Sequence, residues 1–153
     1  MKKKYILWGL LAVILAAAAY GYKEFNRTRT DSKDQEAKFN VSAVGIIQEF
    51  ETDEAAATKK YQGKELIIAV TGAVKEVKKD EKGFYTVMLG EEGNMSSVQC
   101  AMDTLYANEA ANLQPAQAVT IKGQFLGFNK DETGFLGSDV KMNLCVISTQ
   151  KNK

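Results

Sequence analysis

The chain opens on an apolar run rather than an alternating pattern. Met1-Lys2-Lys3-Lys4 leads into Tyr5 to Tyr22, eighteen residues without a charge. As an α-helix this run would span roughly 27 Å at about 1.5 Å per residue, long enough to cross a hydrocarbon core. Tyr5 and Trp8 lie at one end and Tyr20 and Tyr22 at the other, where the two ends of a span meet water. The pattern predicts a basic N-terminus at 1–4 and a transmembrane anchor at 5–22. Ala17-Ala18-Ala19 carries the competing reading, a signal peptide cut after small residues. Residues 23–39 are polar and charged, without apolar periodicity, and read as a tether.

Periodic patterning starts at residue 40. Val41, Val44, Ile47 and Phe50 recur at three-residue spacing behind Asn40, which predicts an amphipathic helix over 41–51 with Asn40 as its N-cap. Thr52 or Asp53 caps a second helical stretch that runs through Tyr61 and stops at Gly63. From Glu65 the period becomes two. Leu66, Ile68, Val70 and Val74 form a strand, with Gly72 expected to mark a bulge or a bend. Lys78 to Gly83 is a charged turn, and Tyr85, Val87 and Leu89 give the next strand. After a turn at Glu91 to Asn94, Val98, Cys100 and Met102 give a third.

Asp103 can cap a helix whose apolar stripe is Leu105, Ala110 and Leu113, ended by Pro115. Val119, Ile121, Gly123 and Phe125 form a fourth strand, Asn129 to Gly134 a turn, and Val140, Met142 and Leu144 a fifth. The order β-β-β-α-β-β predicts a mostly β fold: a five-stranded OB-fold-like barrel over 40–150, preceded by the amphipathic helical segment and the N-terminal transmembrane helix. In this plan the helix between strands three and four caps the barrel. The expected core is Leu66, Ile68, Val70, Val87, Val98, Val119, Ile121 and Val140.

Charge narrows the function. Residues 1–39 hold eight Lys or Arg against four Asp or Glu, a net of +4, while residues 40–153 hold twelve against fifteen, a net of −3. A domain that draws affinity from phosphates is normally basic on one face, so the acidic balance argues against nucleic acid. The chain has no histidine, which removes the commonest general base and metal ligand and excludes Ser-His-Asp and Cys-His catalysis. No phosphate loop or dinucleotide fingerprint is present, so no cofactor is expected. The acidic turns lack the regular oxygen spacing of a calcium loop and read as solvated tips.

Two candidate features remain. Cys100 and Cys145 can pair as a disulfide if the domain is exported, or sit apart as small buried hydrophobes. Simple alternation puts Cys100 inside with Val98 and Met102 but Cys145 opposite Met142 and Leu144, so pairing requires a bulge in the fifth strand. The candidate ligand face comprises Tyr85, Lys122, Phe128, Lys130 and Phe135, aromatic rings and cations of the kind that stack bases. Alternation places Tyr85 on an apolar phase, and acidic neighbours interleave the lysines, which favours a structural reading of both.

Several segments resemble a known family: Tyr61-Gln62-Gly63-Lys64, Thr71-Gly72-Ala73-Val74, Val98-Gln99-Cys100, Val119-Thr120-Ile121-Lys122-Gly123, and Asp139-Val140 through Cys145. Over about residues 41 to 148 the chain resembles the tRNA_anti-like family of OB-fold bacterial proteins, often membrane-anchored or exported. The resemblance implies a barrel and no catalytic residues. The expected function is a non-catalytic binding module attached to the membrane through residues 5–22. Its domain is expected outside the cytoplasm, presenting barrel loops or the exposed polar faces of the second and third strands to a protein, peptide or saccharide ligand. Single-stranded nucleic-acid binding is the alternative.

Overall fold

The computed structural model describes residues 13, 15–22 and 32–148. The chain divides into two units, Met1–Thr30 and Asp31–Lys153. Residues 13 and 15–22 are helical, and among the described residues no helix is long and apolar enough to cross a membrane. The anchor expected at 5–22 and the tether at 23–39 fall in part outside the described residues.

In the second unit a four-residue strand, β1 (Phe39–Ser42), precedes two helices, α1 (Ala43–Thr52) and α2 (Glu54–Tyr61). The helix expected from residue 41 therefore starts two residues later. Its N-cap is Ser42, whose hydroxyl accepts the Gly45 N–H at 3.0 Å, and Asn40 and Val41 lie in the strand. Asp53 ends α1 and begins α2, accepting the Ala56 N–H at 3.0 Å, so the two helices meet at one residue.

The strands β2 (Ile68–Lys79), β3 (Tyr85–Gly90), β4 (Ser97–Met102), β5 (Ala118–Asn129) and β6 (Asp139–Ile147) form the barrel. Their order is β2-β3-β4-β6-β5, closed by pairing of β2 with β5, and β4 runs parallel to β6. This is the five-stranded, OB-fold-like plan. Closure depends on β2 serving two neighbours: Ile68–Ala73 pair with β5 and Ala73–Lys79 with β3. The irregularity that lets it turn lies between Val74 and Glu76, not at Gly72. Gly72 has a different reason to be glycine: a Cβ there would come 2.8 Å from the Cβ of Ala43 at the start of α1. β1 pairs in parallel with Ile68–Thr71, so this half of β2 has a neighbour on both edges.

Val70, Val87, Val98, Ile121 and Val140 are fully buried, joined by Ile68 and Val119, whereas Leu66 is only partly buried at the margin. The helix expected to cap the barrel is a single turn, α3 (Ala107–Ala110), without a side-chain cap. Asp103 accepts the Leu105 N–H instead of capping a helix, and Leu105 is 78% exposed rather than part of an apolar stripe. The larger apolar face comes from α1, which buries Ala43, Ile46, Ile47 and Phe50 against β1, β2, β3, β4 and β6. Four residues of α3 cannot bury a comparable stripe.

Candidate binding surface

Alternation on the barrel strands sends one set of side chains inward and the other outward, and the outward set forms the candidate surface. Cross-strand register aligns Lys78 of β2 with Thr86 of β3 and Thr86 with Ala101 of β4. A second row aligns Glu76, Met88, Gln99 and Lys141 across β2, β3, β4 and β6. Lys78, Lys79, Asp80, Thr86, Met88 and Gln99 line a hollow of about 370 Å³ on this face. Lys78 pairs at 3.2 Å with Glu76, both more than half exposed, so solvent screens the pair and leaves the lysine available. Among the described residues no hydrogen bond engages the Thr86 hydroxyl or the Gln99 amide.

The residues that sequence reasoning assembled into a ligand face do not converge here. Tyr85 is half-buried against the core, with the Lys79 ammonium 5.2 Å from its ring centre. Phe128 is half-buried and stacks on Phe50 at 5.0 Å, and Phe125 stacks on the same ring at 4.9 Å. Phe50 in turn lies 5.8 Å from Tyr61, which meets Phe39 edge-on at 5.3 Å. Five aromatic side chains thus join α1, α2, β1 and β5. Lys122 donates to the backbone carbonyls of Lys33 and Gln35 at 2.9 and 2.8 Å, which fastens residues 32–35 to β5. Lys75 donates to the carbonyls of Asn94 and Ser96 and holds the β3–β4 turn.

Lys130 and Phe135 lie apart from these, on the β5–β6 loop, where Phe135 is 81% exposed. Asp131 organises this loop. Its carboxylate accepts the Thr133 hydroxyl at 2.6 Å and the N–H groups of Thr133, Leu136 and Gly137. The Thr133 bond, helped by the backbone N–H groups, holds the Asp131 carboxyl well below the usual carboxylate range. Gly137, at φ +77°, lies so close to the β3–β4 turn that an added Cβ would come 2.4 Å from the Met95 carbonyl carbon and the Ser96 nitrogen. Glu91, Glu92 and Asp131 face a polar hollow of about 540 Å³ between these loops.

A groove of about 420 Å³ separates α1 from α2. Within it Glu49 accepts the Lys60 ammonium at 2.7 Å and the Tyr61 hydroxyl at 2.9 Å. The Lys60 bond lowers the Glu49 pKa, and the Glu49 bond raises that of Lys60. Burial is the main cause of the raised Tyr61 pKa. These charges satisfy one another, so the groove offers less unpaired chemistry than the β3–β4 face.

Cys100 and Cys145 are both fully buried free thiols on the paired strands β4 and β6, where Cys145 lies opposite Met102, two residues along β4 from Cys100. The bulge that this requires is present. The β4–β6 register shifts between Cys100 and Met102, and Leu144 takes φ +52°. Burial raises the Cys145 thiol pKa above its ordinary value. The sequence pattern pointed to the polar faces of β3 and β4 without naming residues on them, and the outward phase of Thr86, Met88 and Gln99 supplies those residues. Sequence reasoning missed Phe50 as the hub of the aromatic cluster.

The model of the tRNA_anti-like family matches residues 1–136, a span that begins before the barrel and stops inside the β5–β6 loop. The structure is similar to that of a putative nucleic acid-binding lipoprotein from Klebsiella pneumoniae subsp. pneumoniae MGH 78578. The TM-score is 0.55 at 13% identity, over 75% of this chain and 100% of that one. Asparaginyl-tRNA synthetase from Pyrococcus horikoshii matches with a TM-score of 0.38 at 16% identity, over 57% of this chain and 20% of its own length. A putative aspartyl-tRNA synthetase from Leishmania major Friedlin gives 0.46 at 10% identity, over 88% of this chain and 26% of its own. No curated protein matches the chain.

Proposed function

From the premise that this chain belongs to the tRNA_anti-like family, we propose that its barrel is a non-catalytic binding module that presents the outer face of β3 and β4 to a protein, peptide or saccharide. The observation that carries this reading is where the barrel uses its rings and cations. Phe125 and Phe128 are stacked on Phe50, Tyr85 packs on the core, and Lys75 and Lys122 are bound to backbone carbonyls. A strand-binding nucleic-acid groove needs exposed rings above a cationic track. The β3–β4 face offers Thr86, Met88, Gln99 and flanking Lys78 and Lys141, a mixture that suits hydrogen bonding and apolar contact with an extended polar ligand.

The segment 5–22 serves as the membrane anchor in this proposal, with the domain outside the cytoplasm. The Klebsiella neighbour is described as a lipoprotein, which fits an envelope location. The two cysteines of this chain lie at 100 and 145, within the barrel strands, so the apolar segment and not a lipidated cysteine is taken as the anchor. The second reading is a single-stranded nucleic-acid module. It is supported by the nucleic acid-binding description of the same neighbour and by the cations Lys78, Lys79 and Lys141 around the face.

The test is a screen of immobilised peptides and oligosaccharides with full-length protein in mild detergent, repeated with the double variant Met88→Arg/Gln99→Glu. Both positions point outward, so the variant should keep its unfolding temperature and lose the captured ligand. Undiminished capture by the folded variant would remove the β3–β4 face from the account.

A further inference from the structure

We infer that Cys100 and Cys145 are a disulfide site, joining the neighbouring strands β4 and β6 when the domain folds under oxidising conditions. This goes beyond the binding reading and stands whether or not the β3–β4 face takes a ligand. Met142 faces inward and is 1% exposed, so uninterrupted alternation would turn Cys145 to the outside. Instead Leu144 adopts φ +52°, a left-handed conformation that a side-chain-bearing residue takes only under constraint, and Cys145 turns inward to full burial. The same irregularity sets Cys145 opposite Met102, two residues along β4 from Cys100.

A second observation, on a different strand, makes room for the sulfur. Gly123 of β5 lies against Cys145 so closely that a Cβ there would come 2.6 Å from Sγ. Backbone conformation on one strand and a missing side chain on another thus both accommodate the Cys145 sulfur inside the barrel, the side to which Cys100 of the paired strand is also buried. Disulfides demand narrow geometry, which requires neighbouring strands with both side chains on the same face, and Cys100 and Cys145 meet both conditions.

The chemistry balances with a small-molecule or protein disulfide as oxidant. One cysteine thiolate attacks that disulfide and expels a thiolate, which takes up a proton. The second cysteine then displaces the other half, giving Cys100–Cys145 and two equivalents of reduced thiol. Full burial withholds both sulfurs from an external oxidant once the barrel has closed. The exchange therefore belongs to folding, before β6 docks between β4 and β5, and afterwards the bond is shielded from reductant.

The test uses full-length protein in mild detergent, reduced and denatured, then refolded in a mixture of reduced and oxidised glutathione. It is next alkylated in denaturant without reductant and weighed intact. The expected product has lost two hydrogens and carries no alkyl group, while Cys145→Ser cannot lose them and ends alkylated or glutathionylated at Cys100. Wild-type protein that takes two alkyl groups, keeps a glutathione adduct, or links into dimers through these residues would overturn the inference.

Discussion

Gly123 and Cys145 are locked to one another: a Cβ on Gly123 would meet Cys145 Sγ at 2.6 Å and the Asn143 carbonyl oxygen at 2.9 Å. The contact joins β5 to the bulged part of β6, where the barrel is most irregular. Gly123→Ala must therefore push β6 away or force Cys145 out of its rotamer, and overpacking of this kind costs about 1–3 kcal/mol. The expected result is a lower urea midpoint with an unchanged slope. Gly123→Ala/Cys145→Ala, which removes the sulfur but leaves the Asn143 carbonyl in place, should recover part of the loss.

Phe50 is fully buried and stacks on Tyr61, Phe125 and Phe128. Truncation to alanine leaves a cavity between α1 and the barrel and should cost about 3–5 kcal/mol in urea unfolding. Because α1 carries the buried stripe that covers the strands, Phe50→Ala should also speed amide exchange in Ile46 and Ile47.

At the β5–β6 loop, Asp131 holds the Leu136 and Gly137 N–H groups through a carboxylate whose pKa is lowered in the folded state. A carboxyl with a folded pKa below its unfolded value of about 3.9 contributes stability that is present above that value and is lost as pH falls toward the folded one. Exchange protection of these two amides should therefore decline in acid before the barrel amides change. Asp131→Asn should show the loosened loop already at neutral pH.

Tyr61 has the opposite sign. Its pKa is raised, chiefly by burial, so its contribution is intact below the ordinary tyrosine range near pH 10 and is lost as pH rises through the folded value. Urea midpoints measured from about pH 10 upward should fall in the wild type, and Tyr61→Phe should flatten that fall.

The barrel strands were legible because each buries one face, so alternation through Ile68, Val70, Val87, Val98, Ile121 and Val140 marks them. The short strand at Phe39–Ser42 was not, since four residues carry little period and Asn40 is as good a helix cap as Ser42. Alternation also cannot announce its own interruption, so the inward turn of Cys145 appears only with the φ of Leu144. The surface was the least readable part. Lys75 and Lys122 look like free cations in sequence, and their partners are backbone carbonyls 19 to 89 residues away.

The proposed function depends most on Phe125, Phe128, Tyr85, Lys75 and Lys122 serving the fold rather than a nucleic acid. Fluorescence anisotropy of labelled single-stranded DNA and RNA, titrated with full-length protein in mild detergent at low and physiological salt, tests it directly. No saturable binding is expected even at low salt. Saturable binding with a steep loss of affinity as salt rises, reduced by Lys78→Ala/Lys141→Ala, would contradict it and make the β3–β4 face a nucleic-acid surface.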